Sequence, residues 1–194
     1  MPFSFIKTEI DGLVKIQPHL HEDARGVYKK YYEKEVFAEN GIGCAFTESS
    51  DIRSDKGALR GLHYQSVDAQ AKLIHVLSGK LFDVALDLRR DSPTFGKYHA
   101  ELLDAKDDLV LFIPETFAHG FLSLTDDTVF SYQCSGRYCP ASCGGILWND
   151  PALAIPWPLS QFGITQVVAT EKDLHWPTFA AYAARGAAEQ EVQP

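Results

Sequence analysis

Basic residues are in deficit. Against 26 Asp and Glu stand 18 Lys and Arg, a formal net charge of -8 with histidine neutral. Such a field repels nucleic acid and anionic membranes, so neither is an expected partner. A few cations focused in one cleft can still hold a small anion. Long apolar runs are missing too: no uninterrupted stretch is long enough to span a bilayer. The opening MPFSFIKTEIDG breaks its apolar patch at Lys7 and lacks the organisation of a signal peptide. Cysteine is scarce, four in 194 residues, and Cys134, Cys139 and Cys143 are spaced C-x4-C-x3-C, without the close pairs of a structural zinc site. Unpaired thiols, Cys44 included, are the expectation, and with them a cytoplasmic protein. Linkers, repeats and low-complexity tracts are absent. A single domain over residues 1–194 is expected, large enough to bury a core without staples.

Strand signals outnumber helix signals. KLIHVLSGKLFDVALDL reads as two strands joined in a hairpin around Ser78-Gly79-Lys80. In the second, Phe82, Val84, Leu86 and Leu88 alternate with Asp83, Ala85 and Asp87, a period of two. DLVLFIP, GFLSL and TVFSYQC follow, punctuated by Pro114 and Gly120. Short strands at such spacing predict an antiparallel sandwich or barrel. YEKEVFAEN predicts a short helix ending before Gly41, and FAAYAARGAAEQ an Ala-rich one, with 180–194 a loosely held tail.

The polar residues inside these strands raise the functional question. GALRGLHYQ places Arg60 and His63 close together, and QAKLIHV gives Lys72 the parity of Ile74 and Val76. Lysine is rarely buried, so Lys72 is either the exposed start of its strand or a cation aimed into a cavity. His119 lies in FIPETFAHGFLSL, and Tyr132 shares a face with Phe130, where a buried hydroxyl needs a partner. Asp173 ends Thr170-x-x-Asp173, a capping-box spacing. Strict alternation separates Arg60 from His63; a bulge at Gly61 would bring both to one face.

RGLHYQ, QAKLIHV, GKLFDVALDLRRDSPTFGK, FIPETFAHGFLSL, GILWNDPALAIPWPL and TEKD, in this order, closely resemble the dTDP-4-dehydrorhamnose 3,5-epimerases over roughly residues 3–178. The resemblance implies a mainly β, antiparallel cupin-type (jelly-roll) barrel with a few short helices. It also implies an isomerase inverting C3 and/or C5 of a nucleoside-diphosphate-linked 4-keto-6-deoxyhexose in dTDP-rhamnose biosynthesis, with no cofactor and no metal. His63 resembles the base, Asp173 the carboxylate that orients it, Lys72 the cation at the C4 oxygen and Tyr132 the acid of the opposite face. Arg25, Arg60 and His119 resemble diphosphate ligands; Tyr138 and Lys172 match further substrate-lining positions. The family's homodimer, with N-terminal strands crossing to the partner, is implied as well.

Departures cluster at the outer positions. Asp23-Ala24-Arg25-Gly26 replaces D-E-R-G, Lys30 stands where glutamate is usual, and Phe46-Thr47-Glu48-Ser49-Ser50 replaces F-V-Q-D-N. Cys143 stands in place of a glutamate. Lys30 and Glu48 can compensate each other or mark a different nucleotide. Two other classes compete, a metal-dependent cupin enzyme and a non-catalytic sugar-nucleotide binder. Within the family, a single-site epimerase on another nucleotide sugar is the alternative.

Overall fold

The computed structural model describes residues 2–190, with side chains through Arg185. In chain order the elements are β1 (Phe3–Lys7), β2 (Val14–Pro18), β3 (His21–Asp23), β4 (Gly26–Tyr28), α1 (Lys34–Glu39), β5 (Phe46–Ser54), β6 (Leu59–Gln65), β7 (Lys72–Ser78), β8 (Lys80–Asp87), β9 (Tyr98–Asp104), β10 (Val110–Ile113), β11 (Phe117–Ser123), β12 (Thr128–Ser135), β13 (Cys143–Gly145), α2 (Glu171–Leu174) and α3 (Phe179–Gln190). One sheet runs β1-β2-β10-β7-β12-β5 and a second β13-β6-β11-β8-β9, with β3–β4 a separate hairpin. Every pairing between these strands is antiparallel. The sheets face each other in a cupin-type jelly roll. The Ala-rich stretch forms α3; of the expected loose tail, residues 191–194 lie outside the described residues.

The expected hairpin at Ser78-Gly79-Lys80 is not formed. β7 pairs with β10 and β12, whereas β8 pairs with β11 and β9. Both edges of each strand are occupied, so neither has one left for the other. Gly79, at φ +78, turns the chain from one sheet into the next, and a Cβ there would meet the Thr125 and Thr128 hydroxyls at 2.5 and 2.7 Å.

Three apolar layers hold the molecule. Between the sheets pack Ile74, Val76, Leu111, Ile113 and Phe130 from one and Leu81, Ala85, Phe117 and Phe121 from the other. Each of these side chains other than Ala85 contributes roughly 1.5–3 kcal/mol on full burial. Outside the six-stranded sheet, Phe37 of α1 is fully buried, edge-on to Phe3 and Phe5. Outside the five-stranded sheet, Phe82, Val84 and Leu86 are covered by the C-terminal segment, including Leu153, Trp157 and Ile164. The apolar face of β8 therefore points outward under that cover, and Asp83 points between the sheets. Asp150, buried, pins the segment by accepting from Ala152 N–H at 2.8 Å and Phe179 N–H at 2.6 Å.

Candidate active site

Beyond the apolar layer the space between the sheets opens into a cavity of about 920 Å³, within the range of small-molecule sites. Its lining includes nine of the ten candidate residues: Glu48, Arg60, His63, Lys72, His119, Tyr132, Tyr138, Lys172 and Asp173. The tenth, Arg25, is elsewhere. It sits exposed on the β3–β4 hairpin, its guanidinium bonded to Asp23.

Arg60 and His63 share the cavity wall because β6 carries a bulge. In the β6–β11 register His63 faces His119 and Arg60 faces Phe121, so three steps on β6 match two on β11. Gly61 makes this possible at φ +111, where a Cβ would lie 2.5 Å from Gly120 Cα and 2.6 Å from the His119 carbonyl. The Gly61–Leu62 peptide is cis.

Asp173 reaches His63 from α2. Thr170 caps that helix, its Oγ1 accepting from Asp173 N–H at 3.2 Å, so the capping reading of the sequence holds. The buried carboxylate does further work: His63 Nε2–H donates to Oδ1, Trp176 Nε1–H donates to Oδ1 at 3.1 Å, and the Thr170 hydroxyl donates to Oδ2 at 3.0 Å. With Nε2 occupied, the lone pair of a neutral His63 falls on Nδ1. Burial lowers the His63 pKa, against the opposing pull of Asp173. That direction favours the neutral imidazole.

The opposite wall comes from the other sheet. Lys72 of β7 is paired in register with Cys134 of β12, and Tyr132 lies two residues before Cys134. Burial lowers the Lys72 pKa, with Cys134 and Asp83 opposing. Burial raises Tyr132, keeping its phenol a neutral donor, and pushes the Cys134 thiol up to about 11.

At the rim, Glu48 accepts from the Tyr138 backbone N–H at 3.2 Å, and Lys172 lies 4.8 Å over the Trp176 ring. Lys30 does not compensate Glu48: its ammonium goes to Glu33 at 2.8 Å, three residues away. Cys143 donates from Sγ to the Cys139 carbonyl at 3.4 Å. All four cysteines are free.

Sequence reasoning missed two residues. Asp83, wholly buried, accepts from His119 Nε2–H at 2.8 Å; its signal was a carboxylate recurring in an apolar strand. Trp176 had none beyond lying three positions after Asp173. Among the described residues, no three His, Cys, Asp or Glu converge as a metal-ligand set.

The dTDP-4-dehydrorhamnose 3,5-epimerase family profile matches residues 7–181. The dTDP-4-dehydrorhamnose 3,5-epimerase of Methanothermobacter thermautotrophicus is 40% identical over 174 residues, 90% of this chain and 93% of that protein. The crystal structure of the Legionella pneumophila dTDP-6-deoxy-D-glucose-3,5-epimerase with dTDP-4-keto-L-rhamnose is similar at a TM-score of 0.88 and 39% identity, covering 94% of this chain and 96% of that one. ChmJ, a 3'-monoepimerase from Streptomyces bikiniensis in complex with dTDP-quinovose, follows at 0.85 and 31%, covering 96% of each chain. With a matched profile over nearly its whole length and relatives near 40% identity, the chain belongs to the dTDP-4-dehydrorhamnose 3,5-epimerase family.

Proposed function

We propose that the protein epimerises dTDP-4-dehydro-6-deoxy-D-glucose at C3 and C5, giving dTDP-4-dehydro-L-rhamnose. The observation that carries this reading is the placement of His63 and Tyr132 on opposing sheets, facing one cavity that also holds Lys72. Hydrogens on C3 and C5 flank the C4 ketone. His63 Nδ1 takes one of them, the C–H pair moves into an enolate, and the negative charge collects on the C4 oxygen beside Lys72. Tyr132 then gives its phenolic proton to the same carbon from the other face. Solvent restores the phenol and removes the imidazolium proton. Asp173 keeps His63 in the tautomer that presents Nδ1.

Arg60 is the charged diphosphate ligand within the chain; Lys172 lines the substrate beside it, and His119, whose Nε2–H is held by Asp83, completes that wall of the subsite. Arg25 reaches a cavity only across a homodimer, in which the exposed β3–β4 hairpin, with Val27 and Tyr28 uncovered, docks on the partner. The four free thiols fit a reducing compartment, and we place the enzyme in the cytoplasm.

The deciding measurement is NMR of substrate incubated with the enzyme in deuterated water. Deuterium at both C3 and C5 with the L-configured product is the expected result. Label at C3 alone would make this a single-site epimerase like the 3'-monoepimerase it resembles. Binding without exchange at either carbon would sink the enzymatic reading.

A further inference from the structure

We propose that Trp176 is a positioning residue of the His63–Asp173 pair: its indole N–H fixes Asp173 and draws on the carboxylate oxygen that receives His63, leaving that oxygen a weaker acceptor for the imidazole. The inference deepens the assignment of His63 as base and rests on it.

Two independent features place the indole there. Its Nε1–H donates to Asp173 Oδ1 at 3.1 Å, the oxygen that His63 also uses. Its ring lies flat on Gly145, where a Cβ would meet ring atoms at 2.4 to 2.5 Å. Gly145 is the residue of β13 paired in register with His63 of β6. A glycine opposite the base thus makes room for an indole that stands edge-on to the imidazole, with centroids 6.1 Å apart at 74°.

The chemistry follows from sharing one acceptor. A hydrogen bond to a carboxylate stabilises its charged form and lowers its proton affinity. With Thr170 on Oδ2 and Trp176 on Oδ1, Asp173 still orients His63 but stabilises the imidazolium less than a bare carboxylate would. That agrees with the direction found for His63, whose pKa burial lowers despite the carboxylate beside it. Removing the indole N–H returns Oδ1 wholly to His63, strengthens the imidazolium and moves the acid limb of activity to higher pH. The other titratable or charged groups sharing the cavity are Arg60 and Tyr64 of β6, Lys72 of β7, His119 of β11, Tyr132 and Cys134 of β12, Cys143 of β13, Glu48 of β5, Tyr138, and Lys172 of α2. All of them are retained in the variants below.

The test is the pH dependence of kcat/KM for the full-length protein, read as hydrogen exchange into the keto sugar. Trp176→Phe keeps a packed ring and deletes the donor; its acid limb should move up by at least ~0.5 pH unit. Gly145→Ala, which pushes the indole away without changing its chemistry, should shift the limb in the same direction. An acid limb that superposes on the parent's in a folded Trp176→Phe protein overturns the proposal, while loss of exchange in His63→Ala would leave the base assignment standing. Full exchange in His63→Ala would instead remove the assignment on which the inference rests. The parent protein gives a check that needs no variant. It has three tryptophans, and one indole N–H resonance should titrate with the midpoint of the kinetic acid limb. If none moves, the indole is not coupled to His63.

Discussion

The histidines of two histidine–carboxylate pairs lie side by side on one sheet, and the pairs are built from the same residue types by different means. His119 and Asp83 come from neighbouring strands, β11 and β8, with side chains 10% and 0% exposed. The ladder alone brings them together. His63 and Asp173 are 110 residues apart in the chain, joined only when α2 docks over β6, and His63 keeps 46% of its side chain exposed. The first pair is framework facing a cavity. The second leaves one ring nitrogen held and the other available, as the proposed base requires.

The sharpest way to break this contrast is to remove each imidazole. His63→Ala should abolish exchange at both carbons, a loss of ~10²–10⁴-fold for a general base, whereas His119→Ala should weaken nucleotide-sugar binding yet leave exchange measurable at saturation. Equal loss of exchange in both would mean that the pairs act as one. Tyr132→Phe comes next: deuterium should still enter from the His63 face while inversion slows strongly, most clearly at C5. Inverted product at the parent rate would put the proton donor elsewhere.

The carboxylates sharpen the comparison further. Asp173→Asn should cut exchange and, because it disturbs buried hydrogen bonds to His63, Trp176 and Thr170, also lower the melting temperature. Asp83→Asn should cost about 1–3 kcal/mol of stability through its buried hydrogen bond while leaving exchange measurable. A melting temperature untouched by Asp83→Asn would deny that pair its framework role.

The smallest effects concern histidines outside the cavity, ordered by their carboxylate partners. Burial pushes His75, ring-stacked on Tyr31 at 3.8 Å, down to about 4. His99 also feels burial, but Glu101 and Glu9 outweigh it and raise its pKa. The signs are opposite. A depressed imidazole contributes stability above its unfolded pKa of ~6.5, lost as pH falls through about 4 for His75. The elevated His99 contributes below ~6.5 and loses that contribution as pH rises through its folded value. Melting curves across pH should flatten on the acid side in His75→Phe and above neutrality in His99→Gln.

Strand parity made part of the cavity wall legible in the sequence, and the family resemblance supplied the rest of the candidate residues. Phe130 and Tyr132, two apart, do share the cavity wall, and a glycine between Arg60 and His63 was a reason to expect the bulge. The hairpin at Gly79 was misread because turn chemistry reports a reversal of the chain, not which sheet receives it. Asp83 was not singled out because alternation gives two faces of β8 without saying which lies between the sheets. The C-terminal segment inverts the answer by burying Phe82, Val84 and Leu86 from outside. Trp176 lies in a loop without period, so its bond to Asp173 had no pattern to announce it.

That same segment has a consequence for how the chain is made. Synthesis delivers His63, Lys72 and Tyr132 well before residues 146–176. Until that stretch docks, the outer face of β8 and β11 is wet and sticky, and His63 has no carboxylate to hold it. Hiding the aggregation-prone surface and arming the base are therefore one event. A nascent or clipped chain that still shows its oily sheet lacks, by the same omission, the carboxylate that holds the proposed base.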